Sequence, residues 1–123
     1  MSYTLTITAE QARTLSSACE LLGRLGMGQV HDAFNYLPAN RYDARGLADD
    51  LATIEQLIGR HHISGGICAA PPASQTAWDL YQVLRHRLAW DRHQDGEDVT
   101  AVDFRDPMRF GPEPLATIAK DQA

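Results

Sequence analysis

The sequence predicts an α+β fold, a small helical core of about four helices with short β-strands at both ends that a second subunit completes. Three observations carry this expectation. Residues 3–7 alternate, Tyr3, Leu5 and Ile7 facing one way and Thr4, Thr6 and Thr8 the other, which is the period of a half-buried strand. Through the middle of the chain, apolar side chains recur at three-to-four spacing, the stripe of amphipathic helices. After a turn signal at Gln94-Asp95-Gly96, Thr100, Val102 and Phe104 alternate against Ala101, Asp103 and Arg105, and this predicts a second strand. Two short strands are marginal by themselves in water, so a homo-oligomer is expected to complete them.

The elements follow in order. Thr8-Ala9-Glu10-Gln11 reads as a capping box. The first helix then shows a stripe of Ala12, Leu15, Cys19, Leu22 and Leu25. Gly23, Gly26 and Gly28 crowd its end; such density marks a break, or a close approach of another helix or subunit. Val30, Phe34 and Leu37 continue helical spacing as a short second helix stopped by Pro38. A polar turn at Ala39-Asn40-Arg41-Tyr42 leads to Asp43 as N-cap of a third helix striped by Leu47, Leu51, Ile54 and Ile58, with Gly59 at its end. Residues 60–72 form a long loop, a lid or a plain connector. Pro72 or Ser74 starts the fourth helix, striped by Ala77, Tyr81, Leu84 and Leu88, with Trp78 widening the apolar face. The proline-punctuated tail offers at most a short edge strand near Leu115–Ile118.

Composition bounds the function. A chain of 123 residues, 44% hydrophobic and 22% charged, reads as one globular domain spanning 1–123. No apolar run reaches the length of a membrane span, and Met1–Thr8 lacks a basic start followed by an apolar stretch, so a cytoplasmic protein is expected. Sixteen acids against eleven bases give a net charge of −5, which excludes a protein that coats long nucleic acid. Ten of the eleven bases are arginine; this fits a GC-rich coding genome, or a need for forked guanidinium donors to grip planar anions. Cys19 and Cys68 lack metal-spaced partners and read as reduced, buried side chains.

The densest chemistry is the run Gln82 to His93, where Arg85, His86, Arg87, Trp90, Arg92 and His93 crowd one helix end. Cations there are favoured by the helix dipole, the purely structural account. The functional account is a basic, aromatic-lined shelf for a phosphate and a stacked base. A second candidate is Arg24-Leu-Gly-Met-Gly-Gln29, whose backbone amides beside Arg24, Gly28 and Gln29 could hold an anion. It lacks the lysine and spacing of a P-loop. His31-Asp32 resembles the core pair of helical metal phosphohydrolases, but no further ligands can be assigned and a surface helix explains it more simply. Asp49, Asp50 and Glu55 read as a solvated helix face. No metal, cofactor or catalytic set is expected.

Glu20-Leu-Leu-Gly-Arg-Leu-Gly-Met-Gly-Gln29, Gln82-Val-Leu-Arg-His-Arg-Leu-Ala-Trp90 and Glu113-Pro-Leu115 together resemble a group of small phage and prophage proteins. The pattern is similar to that of the phage anti-Thoeris signal-sequestering proteins, or sponges. The resemblance implies a homo-oligomer that traps a cyclic ADP-ribose-like or cyclic oligonucleotide immune signal without cleaving it. The positions matching its motifs are Arg24, Gly28, Gln29, Arg85, His86 and Trp90, and the shelf adds Arg92. Two other readings stand beside this one. The first is an inhibitor that blocks a host protein by contact, and the second a small nucleotide hydrolase with His86 or His93 as base.

Overall fold

The computed structural model describes residues 1–38, 43–61 and 66–121. Three α-helices dominate: α1 (Ala9–Gly26), α2 (Ala44–His61) and α3 (Pro72–Gln94), with 3-10 turns at Val30–Tyr36, Gly66–Ala69 and Ala101–Phe104. Among the described residues there is no β-strand, so the α+β expectation is corrected to an all-helical fold. Residues 3–7 are extended but pair with no backbone, and Tyr3 and Leu5 remain 90% and 70% exposed. Alternation describes side chains; a strand also needs a neighbouring backbone to bond, and helices supply none. The predicted strand at 100–105 is instead a 3-10 turn. The Thr100 hydroxyl donates to Asp103 at 3.0 Å and the Asp103 amide to the Thr100 carbonyl at 3.1 Å, a local bonding pattern that competes with extended pairing. The tail near Leu115–Ile118 is likewise unpaired.

Some other boundaries follow the sequence, whereas the second helix and the Gly59 end of the third do not. The capping box at α1 is present: the Gln11 amide donates to the Thr8 hydroxyl at 3.1 Å, and the Thr8 amide to Gln11 Oε1 at 2.9 Å. Asp43 accepts from the Gly46 amide at the start of α2, and α3 begins at Pro72. The expected second helix is only a 3-10 turn, closed before Pro38. α2 runs through Gly59 to His61. The turn at 39–42 and the loop centre at 62–65 lie outside the described residues.

α1 and α3 pack antiparallel, because the end of α1 meets the start of α3. A Cβ on Gly26 would stand 2.2 Å from Ser74 Oγ, and one on Gly23 2.7 Å from the Trp78 ring. The two glycines therefore serve helix–helix contact. Gly28, at φ +83°, ends α1: its amide donates to the Leu25 carbonyl at 3.0 Å and the Gln29 amide to the Arg24 carbonyl at 2.9 Å, the double closure of a Schellman motif. α2 joins through Leu51, which is buried, and through Ile58, which covers Gly28.

α3 is covered on two sides. Opposite α1, the C-terminal segment runs along it, held by two buried polar side chains. Asp79 accepts the amides of Phe110 and Gly111, both at 2.9 Å. Gln82 donates to the Met108 carbonyl at 2.8 Å and accepts its amide at 3.0 Å. The backbone at Gly111 lies so near that a Cβ there would stand 2.9 Å from the Thr76 amide nitrogen. No described helix is long and apolar enough to cross a membrane.

Two outcomes follow. Gly26→Ala gains helix propensity but overpacks the α1–α3 contact, and its thermal midpoint should fall by a margin equivalent to about 1–3 kcal/mol; an unchanged or raised Tm contradicts the close approach. Asp79→Ala orphans one buried and one half-buried amide and should cost about 2–4 kcal/mol. Urea melts read this directly, and a loss below about 0.5 kcal/mol would show that the tail is not pinned there.

Candidate functional site

At the α1–α3 seam, helical spacing places Trp78, Tyr81 and Arg85 on one face of α3. The last turn of α1 brings Arg24 to the same seam. The four side chains form a continuous ladder. The Arg24 guanidinium lies 5.5 Å from the Trp78 ring, the Trp78 and Tyr81 rings are 5.1 Å apart, and the Arg85 guanidinium lies 5.1 Å from Tyr81. These are cation–π and tilted aromatic contacts.

The two end cations differ. Arg24 is committed: it donates to Gln29 Oε1 at 2.8 Å and sits 3.7 Å from Glu20 and 3.6 Å from Asp32. With the amides of Gly28 and Gln29 closing α1, this corner is a helix terminus whose donors are already used. Arg85 forms no ion pair among the described residues, and its Nε is buried without a hydrogen-bond partner. Burial, reinforced by a hydrogen bond with Glu20, raises the Tyr81 hydroxyl above its ordinary range, partly opposed by Arg85, so the phenol stays a neutral platform.

Arg92 lies on the Arg85 line two turns on, about 10 Å along the axis. Its Nε is also buried and unpartnered, and a terminal nitrogen stands 3.7 Å from Asp103. His86 and Trp90 belong to a different face. Trp90, 42% exposed, packs edge-on to Phe104 at 4.8 Å, His93 at 5.8 Å and His86 at 6.5 Å. His86 Nε2 stands 3.7 Å from Asp106. This cluster fastens the 101–104 turn to α3. His86 and Trp90 also line a hollow of about 310 Å³ with Val83, Arg87, Pro107 and the segment 115–118.

The expected shelf is thus divided. Arg85 and Arg92 share a line with Tyr81 and Trp78, while His86 and Trp90 face the C-terminal segment. Trp78 and Tyr81 escaped the sequence reading because their stripe looked like core; their spacing to Arg85 was the usable signal. Cys19 is buried, which pushes its thiol up, but Cys68 is exposed, correcting the expectation that both are buried. No cluster of three or more His, Cys, Asp or Glu suited to a metal occurs among the described residues. No family model matches the chain, and neither a curated protein nor a solved structure is similar to it. The likeness to the phage sponges rests on the three motifs alone.

Beside the ladder, the 30–36 turn is tied to α2 through one acid. The His31 amide donates to Glu55 Oε1 at 3.0 Å, and the His31 ring nitrogen Nδ1 meets the same oxygen. The backbone hydrogen bond from His31 holds the Glu55 carboxyl below its ordinary value of 4.5. A lowered folded-state pKa contributes stability above about pH 4.5 and loses it as pH falls through the folded value. The Tm difference between wild type and Glu55→Gln should therefore be steady near neutrality and shrink below about pH 4. A difference that stays flat to pH 3 would contradict the contact.

Proposed function

We propose that this chain is a binding protein that sequesters a small nucleotide-derived ligand without cleaving it, the role that resemblance to the phage sponges implies. One observation supports the reading above others. Arg85 and Arg92 stand on one line of α3, each with a buried Nε that has no partner, and Arg85 is stacked on Tyr81. Both Nε atoms are buried, so a ligand's acceptors would meet the terminal guanidinium nitrogens. Two guanidinium forks about 10 Å apart suit a ligand with more than one phosphate oxygen cluster. The exposed part of the Tyr81–Trp78 platform suits a base, since stacking tolerates any base. The −5 charge of the chain disfavours long polyanions, so a compact ligand fits better.

The chain's own residues grip and do not react. Arg85 and Arg92 donate charge-assisted hydrogen bonds, and Tyr81 offers a neutral aromatic face. Trp90 is cast as the fastener of the 101–104 turn, with the stacking role moved to Tyr81.

Calorimetric titration with cyclic ADP-ribose, a cyclic dinucleotide and AMP tests this. At least one of them should bind. Charge-assisted bonds contribute about 1.5–3 kcal/mol each, so Arg85→Glu should weaken binding at least tenfold and flatten its salt dependence. Tyr81→Ala should weaken it with the salt slope retained. The ligand should be recovered intact by chromatography after heat release. Absence of binding, or a cleaved product lost in His86→Ala, would overturn the proposal.

A further inference from the structure

We infer that the face formed by the N-terminal arm, the outer flank of the α1–α3 pair and residues 116–121 is the seat of a second copy of this chain. The chain buries little by itself. Among the described residues, only Leu51, Val83 and Leu84 of the buried apolar side chains are larger than cysteine, and no side chain of substantial volume is fully buried. The chain exposes 8888 Å², whereas a folded monomer of 13.6 kDa exposes about 6,600 Å². The surplus of about 2,300 Å² is what one partner in an obligate homodimer gives up, about 1,000–2,500 Å² each.

Part of the exposed apolar surface lines one groove. A groove of about 790 Å³ runs between residues 3–9, α1, α3 and residues 116–121. Leu15 from α1 and Leu80 from α3 stand exposed along it, and Tyr3 and Leu5 of the arm are more exposed still. Contiguous exposed apolar surface of this kind marks an interface. On α3, at about 100° per residue, Leu80 and Leu84 lie on the other flank of α1 from Trp78 and Arg85, while Leu88 comes within about 20° of Tyr81. The groove borders the ladder, but its lining contains none of Trp78, Tyr81, Arg85 or Arg92, so the second copy does not depend on the proposed ligand.

Charge selects the occupant. The ionisable residues lining the groove are Arg87, Asp91, Lys120 and Asp121, two of each sign, and Arg87 pairs with Asp91. A strongly basic or acidic partner finds no complementary field there. A second copy meets no repulsion there: two chains of −5 each come together more readily through a face without net charge. An isologous contact sets the apolar arm of each copy against the groove of the other, covering both at once.

Light scattering of the full chain from micromolar to 100-fold higher concentration tests this. A dimer of twice the 13.6 kDa chain mass is expected. Leu80→Arg, and separately Leu5→Glu on the arm, should each shift the midpoint of dissociation at least tenfold toward monomer with the helical circular-dichroism signal retained. The arm variant guards against misfolding, because Leu5 is outside the core. A wild-type monomer at every concentration overturns the inference and assigns the face to a different protein. A dimer indifferent to both substitutions overturns the choice of face.

Discussion

Helix α3 must satisfy unlike neighbours on two of its sides, and the rest of the molecule is arranged by how it does so. Toward α1 it presents Ser74 and Trp78, which Gly26 and Gly23 admit by having no side chain; Ala77 and Ala89 are among the most buried positions described. Toward the C-terminal segment it presents Asp79 and Gln82, buried and polar. These act as a substitute for a neighbouring strand, taking up the amides of Met108, Phe110 and Gly111 that would otherwise be left bare. Removing one such partner is worse than never having had the pair, because the orphaned amides stay buried.

The candidate site depends on the same helix. Trp78 can lean over Gly23 only because that position has no side chain, and this sets the ring beside Arg24 and Tyr81. The close approach that holds the fold thereby builds the ladder. Arg24 anchors its lower end within a web of Glu20, Gln29 and Asp32, and Arg85 at the upper end is left with donor capacity to spare. The apolar groove on the opposite flank of α1 is a consequence of the thin core: a pair of helices packed through glycine and alanine buries little, and its larger leucines face outward.

What the sequence made legible was local. The Thr8–Gln11 capping box, the Asp43 cap, the Pro72 start, the helix end at Gly28 and the turn at Gly96 each depend on a few adjacent residues and are present, whereas Gly59 does not end α2. What it hid was partnership. Alternation at Tyr3, Leu5 and Ile7 resembles a strand, yet whether a second backbone lies alongside is a tertiary fact that periodicity does not carry. Asp79 looked like any polar residue on a helix, since its partners are more than thirty residues away. The cluster at 85–93 was visible as composition, but one residue turns a helix by about 100°. Arg85 and His86 therefore face different neighbours, and a shelf read as one site divides into two.

Amide hydrogen exchange resolved along residues 104–115 tests the central claim that α3 pins the C-terminal segment through side chains. This stretch has little regular structure of its own, so protection there reports its tertiary partners. Slow exchange is expected at Met108, Phe110 and Gly111, whose amides are bonded to Gln82 and Asp79, and fast exchange at Arg109 between them. Uniformly fast exchange from 106 to 111 would contradict it.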